Sequence, residues 1–195
     1  MNPQRRRFGL LAAALLLPAP RVAALEPMEE VDYRLIQQRP VADPKQVEVV
    51  EFFYYGCRWC NAFEPYLAEW RHRKPQDVAF RLQPAIRNTR WITLTKLFYV
   101  LEAEGQLARL HERVYQAYHR DERNLADESV LVAWLVEQGL ERDRVEKLLS
   151  SDAIMAKVHE ARETTYDYEV DTTPSIVVAG RYLTTSGMAG CVSVR

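Results

Sequence analysis

Apolar residues recur along the chain with two different periods, and the changes between them divide it into three stretches. Weak alternation over Val31 to Ile36 predicts a short strand, and Pro40, Asp43 and Pro44 punctuate the link that follows. Val47 to Tyr55 is rich in β-branched and aromatic residues and closes at Gly56, the pattern of a central strand. From Arg58 the spacing becomes helical, with Trp59, Phe63, Tyr66, Leu67 and Trp70 recurring on one face. Pro65 falls inside that segment, where its missing N–H predicts a kink. Val78 to Leu82, closed by Pro84, reads as a second strand.

Helical texture then persists for some eighty residues. Trp91, Leu94, Leu97, Phe98 and Leu101 form one stripe that Gly105 stops, and Leu107, Leu110, Val114 and Tyr118 form the next. Asp127 caps a helix carrying Val130, Leu131, Trp134 and Leu135, which Gly139 ends. Arg142 to Leu149 is another, and Asp152 to about Tyr168 is the last, capped by Ser151 or Asp152. Strand texture returns only at Ser175 to Val178, with Ala179-Gly180 turning the chain back along Arg181 to Leu183. A sheet split between the ends, with helices between, predicts one α/β domain with a helical insertion.

The amino terminus has a different texture. Arg5, Arg6 and Arg7 precede an apolar run of ten residues, Phe8 to Leu17, and Val22-Ala23-Ala24 offers the small residues of a cleavage site. The run is shorter than the about 20 residues that span a bilayer, so residues 1–24 are expected to be a signal peptide removed on secretion. Arg-Arg-Arg-Phe-Gly-Leu fits a twin-arginine signal loosely and an ordinary Sec signal equally, leaving the route open.

Composition supports a globular domain: 195 residues, 48% hydrophobic and 27% charged, with a formal net charge of −1. Without the signal, which carries four arginines and no acid, 22 basic residues face 27 acidic ones. That mild acidity argues against nucleic acid and anionic membrane surfaces as partners.

A chain of this size and aromatic content builds a core without disulfides, so its three cysteines call for a chemical reason. Cys57-Arg58-Trp59-Cys60 has the spacing of a redox pair or half a metal site, while Cys191 stands alone. Haem attachment would need a histidine where Asn61 stands. Zinc would need a second ligand pair, and His72, His111, His119 and His159 show no such pairing with Cys191, so a metal is disfavoured. An inert structural disulfide is disfavoured as well, because closing so short a loop stabilises little. The favoured reading is a catalytic dithiol. At a helix start the unpaired N–H groups favour a Cys57 thiolate, Arg58 adds a positive charge, and Cys60, one turn in, resolves the mixed disulfide. Glu51 lies among apolar neighbours, where burial would raise its pKa and fit it to exchange a proton beneath Cys60. Arg81, on the next strand, stands where a basic partner for Glu51 would be. The four histidines lie mostly on polar helical segments and are assigned solvated surface roles.

Glu51-Phe52-Phe53 running through Gly56 into Cys57-x-x-Cys60, the helical insertion and a late Thr173-Pro174 together resemble the thioredoxin superfamily, specifically its periplasmic DsbA-like branch. The resemblance covers about Val31 to Met188 and implies a thioredoxin fold with an inserted all-helical subdomain. It divides the chain into residues 1–24, the signal peptide; 25–87, the first part of the fold with Cys-x-x-Cys; 88–165, the helical insertion; and 166–195, the second part. It implies a cis-proline loop at Pro174 that lies against the cysteines and offers backbone to an extended peptide, with Thr173 tuning the sulfurs. A buried glutamate at the position of Glu51 is implied too.

The chain departs from the best-known members in three places, one of them Pro65 inside the active-site helix, which is closer to the plain thioredoxin pattern. Arg58-Trp59 replaces their Pro-His, so the histidine that would hydrogen-bond the thiolate is absent and Trp59 offers apolar contact instead. The family continues into a final helix where this sequence runs seven residues past Met188, a stub that contains Cys191. Cys191 is read as incidental, ahead of a third redox thiol or an intermolecular link.

The expected function is that of a secreted, periplasmic thiol:disulfide interchange enzyme, monomeric, with the Cys57–Cys60 disulfide as its redox group and no other cofactor. Its implied partners are unfolded or reduced secreted polypeptides and a membrane quinone-linked reoxidant. A reductase or isomerase for particular clients is the alternative within the class, and a non-catalytic peptide-binding chaperone module the alternative outside it.

Overall fold

The computed structural model describes residues 26–189. The expected signal peptide and Cys191 lie outside the described residues. Two short antiparallel strands, β1 (Arg34–Leu35) and β5 (Tyr182–Thr185), form one side of a five-stranded mixed sheet. Its centre is β2 (Val47–Phe53), parallel to β3 (Val78–Pro84) and antiparallel to β4 (Ser175–Val178), giving the order β1-β5-β4-β2-β3. β2 is buried on both faces beyond its first residue, which is why its sequence is a run rather than an alternation.

α1 (Arg58–Arg73) follows β2 after a four-residue turn and precedes β3. The expected kink at Pro65 does not interrupt it. Pro65 is exposed, and the Asn61 carbonyl it leaves without a donor lies on a half-exposed part of the helix, where water can reach it. Between β3 and β4 come five helices: α2 (Ile92–Ala103), α3 (Leu107–Tyr115), α4 (Glu128–Glu137), α5 (Arg142–Leu149) and α6 (Asp152–Asp167). Side-chain caps start three of them: Asp127 for α4, Glu141 for α5 and Ser151 for α6. α3 runs on into a π-helical turn, Gln116–Arg120. The β4–β5 hairpin turns through Ala179 (φ 51°) and Gly180 (φ 65°). A Cβ on Gly180 would lie 2.4 Å from the Arg39 carbonyl oxygen, so only glycine fits there.

The sheet separates two apolar clusters. Val50, Phe52, Val177 and Leu183 pack with Ile36, Ala85, Tyr168 and Val170. Phe53 and Tyr55 pack with Cys60 and the apolar faces of the inserted helices. Because neighbouring strand residues point to opposite faces, Glu51 shares the face of Phe53, toward the inserted helices.

Candidate functional site

Cys57 is the N-cap of α1, in extended backbone conformation (φ −85°, ψ 118°), so the first-turn N–H groups point toward its sulfur. Its own N–H donates to the Tyr54 carbonyl at 2.9 Å, closing the turn that leads out of β2. Gly56 makes this turn possible, since a Cβ there would lie 2.5 Å from the Tyr54 ring. That ring stacks on Trp91 with 4.1 Å between centroids. Both cysteines are free thiols.

The two sulfurs differ sharply in environment. The Cys57 pKa is lowered to about 5, chiefly by the hydrogen bond from the Cys60 thiol and further by the Thr173 side chain and the backbone N–H groups of Cys60 and Trp59, against the opposing effect of partial burial. Cys60 is fully buried, and burial first, then its bond to Cys57, pushes its pKa well up. Arg58 is not among the principal groups that lower Cys57. Its guanidinium lies 4.7 Å from the centroid of the Trp59 ring, which is 40% exposed beside the cysteines.

From the far end of the chain, the Thr173–Pro174 peptide bond is cis, and the protonated Cys57 Sγ donates to the Thr173 carbonyl at 3.2 Å. Thr173 and Pro174 are thereby brought against the cysteine pair. Thr173 presents its carbonyl to the thiol and its side chain to the thiolate.

Beneath the pair lies Glu51, with no exposed surface and neither carboxylate oxygen hydrogen-bonded among the described residues. Its pKa is raised well above the ordinary carboxylate range, first by burial and then by Glu64, with Arg71 opposing and Cys57 adding to the rise. The expected pairing with Arg81 is wrong. Arg81 stands opposite Val50 in the β2–β3 register and so shares the other face of the sheet, where its Nε lies 3.4 Å from Glu48 Oε1. Leu82 is the residue opposite Glu51.

The surface roles assigned to the histidines fail for two of them. His111 is 6% exposed, and its Nδ1 lies 2.8 Å from the Tyr55 hydroxyl. His119 Nε2 lies 2.7 Å from the Tyr55 carbonyl. Tyr55 is therefore held at both its side chain and its backbone. The stripe of Leu107, Leu110, Val114 and Tyr118 already contained the signal, because His111 is four residues after Leu107 and three before Val114, on the same buried face. Glu64 carried a similar one, seven residues after Cys57 and four after Cys60 on α1. Among the described residues no group of three or more His, Cys, Asp or Glu side chains is arranged to hold a metal.

Comparison with known proteins agrees with this geometry. Residues 48–191 match the family model described as a DSBA-like thioredoxin domain. The chain is 34% identical to the thiol:disulfide interchange protein DsbA of Azotobacter vinelandii over 151 residues, 77% of this chain and 71% of that protein. It is 33% identical to the protein of the same name from Pseudomonas syringae over 184 residues, 93% of this chain and 85% of that one. Among solved structures it is similar to Pseudomonas aeruginosa DsbA, with a TM-score of 0.76 at 32% identity over 82% of this chain and 83% of the other. It is also similar to the oxidoreductase DsbA of Xylella fastidiosa, with a TM-score of 0.73 at 28% identity over 79% and 85%.

Proposed function

The chain belongs to the DsbA-like thioredoxin family, and from that premise we propose that Cys57 and Cys60 are the redox pair through which it introduces disulfides into other polypeptides. It is a thiol:disulfide oxidoreductase. The observation that carries the assignment of roles is the asymmetry of the two sulfurs, one at a helix N-cap with a pKa of about 5, the other buried and held protonated.

A thiolate on the reduced substrate attacks Cys57 Sγ of the oxidised pair, the Cys57–Cys60 bond breaks, and Cys60 leaves with the electron pair. Its sulfur sits in an apolar pocket where an anion is costly, and Glu51, held neutral by burial, donates the proton it needs. The substrate's second thiolate then attacks the substrate sulfur of the mixed disulfide, and Cys57 leaves as the stabilised thiolate. The substrate has lost two electrons and the enzyme holds them as one thiolate and one thiol. Stabilising the reduced form in this way makes the disulfide oxidising, so flow runs from substrate to enzyme. Thr173 and Pro174 supply the edge along which an extended substrate lies, and Trp59 the exposed apolar contact beside it.

The enzyme acts as a monomer in the periplasm on reduced, unfolded secreted polypeptides and returns its electrons to a membrane quinone-linked reoxidant. The basic and apolar pattern of residues 1–24 supports export by a cleaved signal peptide. Among the described residues no helix is long and apolar enough to cross a membrane.

The test is oxidation of reduced, unfolded ribonuclease by stoichiometric oxidised protein. Thiols are expected to disappear from the ribonuclease as they appear on the protein. A dithiol form that instead reduces native disulfides, with no transfer in the oxidising direction, would mean the reverse flow of a reductase.

A further inference from the structure

Tyr54, Tyr55, Gly56 and Cys57 form a β-turn, closed by the Cys57 N–H on the Tyr54 carbonyl at 2.9 Å, with Tyr55 and Gly56 as its two central residues. Glycine in the third place of such a turn allows two forms, which differ by turning over the peptide that joins the central residues. Both forms keep the closing hydrogen bond, so that bond does not choose between them. Gly56 lacks the positive φ of the type II form. The choice falls to whatever grips the Tyr55 carbonyl.

His119 Nε2 lies 2.7 Å from that oxygen. A carbonyl only accepts, so Nε2 carries the hydrogen and donates it, in the neutral and the protonated ring alike. The ring is itself fixed, stacked on Tyr115 with 6.1 Å between centroids and edge-on to Tyr118 at 5.1 Å.

His119 reaches the turn because the helix that carries it widens. His111 and His119 are eight residues apart, which on an α-helix leaves them about 80° out of line. Gln116–Arg120 forms a π-turn instead, closed by the Asp121 N–H on the Gln116 carbonyl at 3.0 Å, and its extra residue takes back much of that rotation. Both imidazoles thereby meet Tyr55, His111 at the hydroxyl and His119 at the carbonyl. The Tyr55–Gly56 peptide comes just before Cys57 and carries a dipole of about 3.5 D, so its orientation is felt at the sulfur. With the oxygen tied to a donor in the helical insertion, the negative end of that dipole is compensated and the chain enters the N-cap in one conformation.

We propose that His119 is a positioning residue for disulfide exchange, one that grips the Tyr55 carbonyl and so holds the turn before Cys57 in the form that sets its sulfur on the first-turn amides of α1. His119 acts through the Tyr55–Gly56 peptide and not on a sulfur. Its role in catalysis rests on the disulfide-exchange reading; its grip on the turn does not.

The experiment compares His119→Met, which keeps the length of the side chain without a donor, with His119→Gln, whose amide N–H falls near the position of Nε2. The Cys57 thiolate is titrated in reduced protein by its ultraviolet absorbance. His119→Met is expected to raise the Cys57 midpoint by about one pH unit, the size of one lost hydrogen bond, and His119→Gln to keep it at the wild-type value. The same shift is expected to lower the equilibrium constant for oxidation of glutathione at neutral pH about tenfold in His119→Met. A role in packing alone would leave the two variants alike.

Equal midpoints in wild type and His119→Met, or a midpoint raised as much by His119→Gln, would overturn the proposal. Should His119→Met fail to fold, nitrogen NMR of the wild-type imidazole carries the test: a slowly exchanging Nε2–H is expected, and a neutral ring with its hydrogen on Nδ1, or an Nε2–H that exchanges as in free imidazole, would overturn it. A wild-type protein that exchanges nothing with glutathione would overturn the disulfide-exchange reading, while the thiol titration still decides on His119.

Discussion

Cys57→Ser is expected to abolish ribonuclease oxidation, with the rate falling at least about 10³-fold to the uncatalysed background. Serine has nearly the shape of cysteine but cannot form the mixed disulfide, and the features that favour an anion at position 57, the first-turn amides and the Cys60 and Thr173 hydrogen bonds, have no redox sulfur to act on. Cys60→Ser is the informative contrast. It keeps the low-pKa sulfur and removes the resolving one, so mixed disulfide with the substrate should accumulate rather than vanish. If the two variants behaved alike, the division of roles drawn from burial and helix position would be wrong.

Glu51→Leu is expected to move stability and activity in opposite directions. Removing a fully buried carboxyl with neither oxygen hydrogen-bonded among the described residues should stabilise the fold by about 1–3 kcal/mol, since the desolvation cost disappears and leucine matches the apolar surroundings. The step in which Cys60 gains or loses its proton should slow by about 10²-fold or more. The pH dependence follows from the direction of the shift. The Glu51 pKa is raised in the folded state above its unfolded value near 4.5, so its contribution is fully present below 4.5 and is lost as pH rises toward the folded pKa. Denaturant unfolding at several pH values should therefore show the stability gap between Glu51→Leu and wild type constant in acid and widening above about 4.5. A gap that narrowed as pH rose would contradict a buried, reluctantly ionised Glu51.

Cys57 has the opposite sign. Its folded pKa is depressed, so the stabilisation of the reduced form is present at alkaline pH and is lost as pH falls through about 5. At neutral pH the reduced protein should resist denaturation better than the oxidised one, and the difference should shrink toward pH 5.

Local patterns carried much of this structure into the sequence. The apolar run of β2, the N-cap position of Cys57 and the returning hairpin at Ala179-Gly180 are each set by residues close in the chain. What went astray depended on facing and register. Arg81 is close to Glu51 by strand adjacency, yet a one-residue offset in register puts it on the other side of the sheet with Glu48. Charged neighbours such as Glu112 and Arg113 give the segment around His111 a polar texture, although its spacing from Leu107 and Val114 places it inward. Local pattern marks Tyr55 only as the end of a strand, and its pinning by His111 and His119, more than fifty residues later, is a tertiary fact that no local pattern contains. The sulfur chemistry was expected from the helix start plus Arg58. The backbone part of that reasoning holds, while Arg58 stacks over Trp59 and the Cys60 thiol takes the leading part.

The fold makes two chemically alike cysteines unlike. Reduced protein alkylated briefly across a range of pH, with each cysteine quantified by peptide mass, tests this directly. Cys57 modification is expected to rise with a midpoint near pH 5 while Cys60 stays protected throughout the neutral range. A Cys57 midpoint near the ordinary thiol value of 9.0, or Cys60 reacting first, would contradict it.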